Sequence, residues 1–190
     1  MNILVLPYGK NKVICRPDTT WERENKDIFI PDDVTGFDYS PIQFARVCKA
    51  GKSIGIRFAD RYYDSINFGV LLYPKFSDNR DCCLAELSCM DHTSILPFPL
   101  YNKVTLENGN NSFKLYCEDR KLFSTSNCSC AALNELAVTA SRYTSLRIGD
   151  LICIELQKPE SLFDTTSQDK DTYIRATFCE NETFNLKIRI

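Results

Sequence analysis

Two apolar runs, Ile42-Gln43-Phe44-Ala45-Arg46-Val47-Cys48 and Ile66-Asn67-Phe68-Gly69-Val70-Leu71-Leu72, decide how this chain folds. Each is short and bounded by polar, turn-rich stretches, and reads as a strand. Between them, Lys49-Ala50-Gly51-Lys52 reads as a turn and Arg57 to Tyr63 as a short helical turn. Working outward, similar β-like runs occupy Ile3 to Leu6, Val13 to Cys15, Ile28 to Ile30 and Phe113 to Cys117. Others lie at Asp150 to Leu156, Thr172 to Cys179 and Phe184 to Ile190. Thr172 to Cys179 alternates cleanly, with Ile174, Ala176 and Phe178 on one side and Tyr173, Arg175 and Thr177 on the other. One helix is expected near 130–143, where Leu133, Leu136, Ala137 and Ala140 recur at helical spacing behind Ser129 as a cap. Lys158 to Asp171 is polar and reads as an exposed loop. The class is mostly β (α+β) with one principal helix.

Composition bounds the chemistry. A length of 190 residues is most simply one domain, 1–190. Lys plus Arg is 23 and Asp plus Glu 25, a balance that argues against nucleic-acid binding through a broad basic surface. The one histidine, His92, excludes a poly-His metal site. Seven glycines are about half the usual share of roughly 7%, leaving little from which to build Gly-rich phosphate or oxyanion loops. The ten cysteines lack Cys-x-x-Cys spacing and read as small buried hydrophobes, not metal ligands. Met1 to Pro7 has neither the basic flank nor the apolar length of a secretory leader, and no stretch is long enough to span a bilayer. The expectation is a cytoplasmic protein with reduced thiols and no membrane contact. The sequons at Asn110, Asn127 and Asn181 then carry no glycan.

Three segments, in order, resemble the fumarylacetoacetate hydrolase family. The first is Arg16-Pro17-Asp18-Thr19-Thr20 followed by Ile28-Phe29-Ile30-Pro31. The second runs from Asp38-Tyr39 through Arg46-Val47-Cys48-Lys49, Arg57-Phe58-Ala59 and Tyr62-Tyr63-Asp64. The third comprises Thr125-Ser126, Asn134-Glu135-Leu136, Ser141 to Leu146 and Ile148 to Ile152. The resemblance spans residue 13 to the C-terminus and implies a mixed β-roll. It also implies hydrolysis or decarboxylation beside a β-dicarbonyl group, with Mg²⁺ or another divalent ion stabilising the enolate. Such an ion needs oxygen ligands, chiefly carboxylates. The family supplies two Glu separated by one residue and a later Asp.

Placed on this sequence, those positions are Ser40, Ile42 and Leu71. None is a carboxylate. The family's lysine falls near Ser88, while its following Asp survives as Asp91. Leu6 to Lys12 runs almost directly into Val13, where family members carry a lid helix with a Glu–His pair. Cys153 to Pro159 lacks the family's Gly-rich active-site loop.

What the resemblance implies is therefore a catalytically inactive relative with a vestigial pocket of Arg16, Asp18, Ser40, Ile42, Leu71, Ser88 and Asp91, and with no metal or other cofactor. Its expected role is binding, regulatory or oligomeric, as a homodimer or beside an active family member. Arg16 and Asp18 are placed to take a small anionic ligand. The alternative is a hydrolase or decarboxylase of acylpyruvate or β-diketo acids with a rebuilt site, using His92 or a cluster of Asp38, Asp64 and Glu86. Tyr62 and Tyr63 read as core packing.

Overall fold

The computed structural model describes residues 1–77, 82–106, 111–126, 130–164 and 171–189. Ser129, Cys128 and the sequons at Asn110 and Asn127 lie outside the described residues. The strands are β1 (Ile3–Leu6), β2 (Ile14–Arg16), β3 (Trp21–Glu22), β4 (Ile28–Phe29), β5 (Val34–Val47), β6 (Tyr63–Phe76) and β7 (Ser94–Ile95). They continue as β8 (Tyr101–Asn102), β9 (Phe113–Cys117), β10 (Arg120–Thr125), β11 (Leu151–Glu155), β12 (Glu160–Asp164), β13 (Thr172–Phe178) and β14 (Asn181–Arg189). A single turn, α1 (Lys103–Leu106), and the principal helix, α2 (Cys130–Tyr143), complete the set with three short 3₁₀ turns. No helix among the described residues is long and apolar enough to cross a membrane.

The two deciding runs form the centre of the larger sheet. β5 and β6 are 14 residues each and pair antiparallel, with Ser40 opposite Leu71 and Ile42 opposite Gly69. The sheet order is β2-β1-β11-β5-β6-β7-β3, with β12 also on β5 and β8 on β6. β1 runs parallel to β11, setting Ile3–Leu6 beside residues 151–154. The smaller sheet has the order β10-β9-β13-β14-β4.

Pro41 sits in the middle of β5, where a missing N–H normally breaks a ladder. Here the ladder changes hands at that point. β11 pairs with residues 42–46 of β5 and β12 with residues 36–39. The Pro41 carbonyl faces the gap and accepts from Leu156 N at 2.9 Å. No donor is needed there, so the proline is tolerated.

Because the side-chain period of a strand is two, β5 and β6 feed two separate cores. Phe37, Tyr39, Ala45, Val47, Phe68, Val70 and Leu72 face the smaller sheet and α2, which contributes Leu133, Leu136, Ala137 and Ala140. Ile42, Phe44, Leu71 and Tyr73 face the other way, joined by Ile3, Val5, Leu151 and Cys153. This explains why both runs place apolar residues at consecutive positions instead of strictly alternating.

The stretch 158–171 corrects an expectation. It is not simply a loop: Glu160–Asp164 is β12, and Leu162 and Phe163 are buried. The register shifts between Ser161 and Phe163, so a bulge turns two adjacent apolar side chains inward. That local irregularity hides the period-two pattern from a reading of the sequence. The cysteines correct another: Cys117 and Cys153 are buried, but Cys15, Cys48, Cys83 and Cys89 are exposed.

Candidate functional site

The second core is the face on which the implied site would lie. Ser40 and Ile42 are two residues apart on β5 and therefore point the same way, with Leu71 beside Ser40 on β6. All three have 0% exposure. The Ser40 hydroxyl donates to the Gln157 carbonyl at 2.7 Å. Leu84, Leu87, Trp21, Leu100 and Ile14 pack over this core as partly buried hydrophobics. Ser88 is buried in the 3₁₀ turn Glu86–Ser88, its hydroxyl donating to Leu84 O at 2.6 Å.

Polar groups are folded into the same face. Arg16, at the end of β2, is fully buried. Its Nη2 donates to Leu72 O at 3.1 Å and to Thr93 Oγ1 at 2.6 Å, and its guanidinium lies 5.1 Å from the Tyr73 ring centre. Nε and Nη1 have no hydrogen-bond partner among the described residues. The Tyr73 hydroxyl donates to Glu155 Oε1. Tyr8 N donates to Glu155 Oε2 at 2.8 Å. Glu155 stands opposite Ile42 in the β11–β5 ladder.

Burial governs the charges in this group. It raises the Glu155 carboxyl above its ordinary value, against the opposing pull of Tyr73, Tyr8 N and Arg16. It also raises the Tyr73 hydroxyl, with Glu155 adding to the effect, and lowers Arg16.

Asp18 and Asp91 are not on this face. Asp18 is exposed, 3.6 Å from the Met1 amine. Asp91 is exposed beside Phe29, Pro31 and Met90 in a cavity of about 810 Å³. The vestigial pocket inferred from sequence is thus divided. Arg16, Ser40, Ile42 and Leu71 meet on the buried face, Ser88 is buried next to it, and the two aspartates lie outside. Asp38 makes a surface ion pair with Lys75 at 3.0 Å, Asp64 accepts from the Ser65 hydroxyl at 2.8 Å, and Glu86 accepts from Cys83 N at 2.9 Å. Those three carboxylates hold local structure. His92 does not pair with its neighbour Asp91. Its Nδ1 is 2.9 Å from Oε2 of Glu22, a carboxylate with only 2% exposure.

No protein-family model matches this sequence, and no curated protein matches it. Solved structures do. A fumarylacetoacetate hydrolase family protein from Yersinia pestis superposes with a TM-score of 0.73 at 11% identity, covering 98% of this chain and 91% of that one. The fumarylpyruvate hydrolase of Pseudomonas aeruginosa, solved with Mn²⁺ and pyruvate, gives 0.68 at 11% identity over 99% and 95%. The 5-carboxymethyl-2-hydroxymuconate delta-isomerase of Mycobacterium smegmatis gives 0.72 at 12% over 99% and 77%. The fold is that of the fumarylacetoacetate hydrolase family. At this identity the likeness carries architecture, and function rests on the site.

The residues present do not fit the divalent ion that the fumarylacetoacetate hydrolase resemblance implies. Two of the three implied ligand positions are hydrocarbon, and the third spends its hydroxyl on Gln157. The buried carboxylate on this face, Glu155, is engaged by Tyr73 and Tyr8, Asp38 at its exposed edge is paired with Lys75, and the buried Arg16 guanidinium repels a cation. Among the described residues, no three His, Cys, Asp or Glu side chains are grouped to hold a metal.

Tyr73 and Glu155 were missed by the sequence reading. The available signal was parity: Glu155 shares the inward phase of Leu151 and Cys153, which marks it as a carboxylate pointing into a core.

Proposed function

We propose that this chain is a non-catalytic protein of the fumarylacetoacetate hydrolase fold that works by binding, as a homodimer or alongside an active relative. The observation that carries the reading is the fully buried Ser40–Ile42–Leu71 face. Apolar side chains pack over that face, and carboxylates are absent from the three implied ligand positions. An enzyme of this type draws several kcal/mol of barrier lowering from its electrophile and base, and neither is evident on this face.

The test is calorimetric titration with Mn²⁺ and Mg²⁺, an acylpyruvate hydrolysis assay, and light scattering on a sizing column. The expected outcome is no stoichiometric metal binding, no turnover, and a mass above that of one chain. Stoichiometric binding with turnover would overturn the reading.

The rival reading, a rebuilt hydrolase or decarboxylase, has one observation in its favour. The Glu22–His92 pair is a carboxylate–imidazole dyad with a half-exposed ring. Metal-independent turnover that vanishes in His92→Ala would establish it.

A further inference from the structure

Charge is unevenly distributed over this molecule. Residues 46–62 and 141–149 together hold seven of the 23 basic residues and one of the 25 acidic ones, in a chain whose formal charge is −2. The fold joins these stretches edge to edge. Gly51 and Leu146 exchange backbone hydrogen bonds at 3.0 and 2.8 Å. Ser53 N donates to Ser141 O at 2.8 Å, and Ile54 N to the Ser141 hydroxyl at 2.9 Å. The turn after β5 and the end of α2 thus form one continuous surface.

Lys49, Lys52, Arg57, Arg61, Arg142 and Arg147 are all exposed on it. None has a carboxylate partner among the described residues, although the chain forms ion pairs elsewhere. The contacts two of them do make are with rings: Lys49 Nζ lies 5.4 Å from the Tyr62 ring centre and the Arg61 guanidinium 5.2 Å from that of Phe58. Lys49, Lys52, Arg61, Phe58 and Tyr62 line a concavity of about 450 Å³ with Ile54 in its wall, and no acidic residue lines it. Large apolar side chains stand exposed in the same two stretches: Ile56 at 55%, Phe58 at 52%, Tyr143 at 82% and Ile148 at 71%.

We propose that this surface docks an acidic polypeptide segment of a partner protein, with an apolar side chain entering the concavity and carboxylates facing the surrounding cations. Unpaired cations around a carboxylate-free hollow give charge complementarity to a polyanion. The apolar component selects among polyanions. Ile56 and Ile148 are aliphatic and suit a protein anchor more than a nucleobase, whose stacking needs open ring faces. Here a cation already lies over each of Phe58 and Tyr62. A lipid headgroup layer is flat and leaves a hollow unfilled, whereas one side chain of a peptide fills it.

The inference rests on the binding role proposed above and names its surface and partner chemistry. The test uses fluorescence anisotropy of the full chain with a labelled peptide of alternating Glu and Asp around a central Leu. Oligo-dT and phosphatidylserine vesicles serve as competitors. The expected result is peptide binding that weakens with added salt. Lys52→Glu with Arg61→Glu lowers the affinity by at least about tenfold. Phe58→Ala weakens binding but leaves the salt dependence unchanged, and neither competitor displaces the peptide. All three positions are exposed, so circular dichroism melts of the variants match the parent. Absence of peptide binding at low salt, indifference to the charge reversal, or displacement by oligo-dT or vesicles overturns the proposal. The metal titration is blind to this surface, so failure here leaves the reading of the buried face standing, and the reverse also holds.

Discussion

Tyr73 on β6 donates its hydroxyl to the carboxylate of Glu155 on β11, 82 residues away in the chain. This pair crosses β5, which lies between the two strands, and places a carboxyl beside the buried Arg16 in a mostly apolar core. Tyr73→Phe leaves a buried Glu155 oxygen short of a donor, which costs about 1–3 kcal/mol. Urea unfolding should show the midpoint falling with an unchanged slope.

The same carboxyl sets a pH dependence. Burial raises its folded pKa above the ordinary 4.5, so the folded state holds this proton more tightly than the unfolded chain does. The stability it contributes is full below 4.5 and is lost as pH rises through the raised folded value. Glu155→Gln does not titrate. Its stability relative to the parent should therefore improve steadily as pH climbs through that window, and be flat above it. Parallel pH curves for the two proteins would contradict this assignment.

Arg16 is fully buried, with its Nε and Nη1 unpartnered among the described residues. Removing it leaves Leu72 O and Thr93 without their donor and opens a void, so Arg16→Ala is expected to cost about 3–5 kcal/mol. Arg16→Met fills most of the volume and is expected to cost about half as much or less. Because Arg16 holds the Glu155 pKa down, both variants should shift the Glu155-dependent part of the stability curve to higher pH.

Gly69 is required for a different reason. A Cβ at this position would collide with the backbone oxygen of Ile95, and backbone cannot swing aside as a side chain can. The contact lies where β7 pairs with β6. Gly69→Ala is expected to cost about 1–3 kcal/mol through forced separation of these strands. At Gly51 the obstacle is instead the Tyr62 ring, so Gly51→Ala should cost less.

The runs that became β5 and β6 were legible because most positions on both faces are buried, which makes them dense in apolar residues despite Gln43, Arg46 and Asn67. α2 was legible because four small or aliphatic residues recur on one helical stripe. β12 was not, because a bulge breaks its period. In the site, the shared direction of Ser40 and Ile42 follows from parity alone, whereas setting Leu71 beside them needed the family resemblance. The pairing of Tyr73 with Glu155 beside Arg16 could not be read, since it depends on the register of strands far apart in sequence; parity marks only the inward direction of Glu155. The separation of Asp18 from Arg16 was hidden for a similar reason: a 3₁₀ turn at Asp18–Thr20 sends the aspartate outward.

Restoring a carboxylate is the sharpest test of the buried face. Leu71→Asp buries a carboxylate where Ile42 offers no hydrogen bond and the Ser40 hydroxyl is already committed, so even with the Arg16 guanidinium on the same face its desolvation is expected to cost of the order of several kcal/mol. Desolvation raises the new carboxyl's folded pKa, so the deficit should grow as pH rises through that value and shrink in acid. Adding Ile42→Glu should deepen the deficit through like-charge repulsion. A face able to hold a divalent ion would respond differently, because Mn²⁺ bound only to the folded form raises its melting temperature, and the rise keeps growing with the logarithm of Mn²⁺ concentration above Kd. With Arg16 nearby and Glu155 already engaged, Mn²⁺ should leave the melting temperature of Leu71→Asp and of the double variant unchanged. A Mn²⁺-dependent rise of that form in either variant, absent from the parent, would mean that the face retains the geometry of an ion site and lacks only its carboxylates.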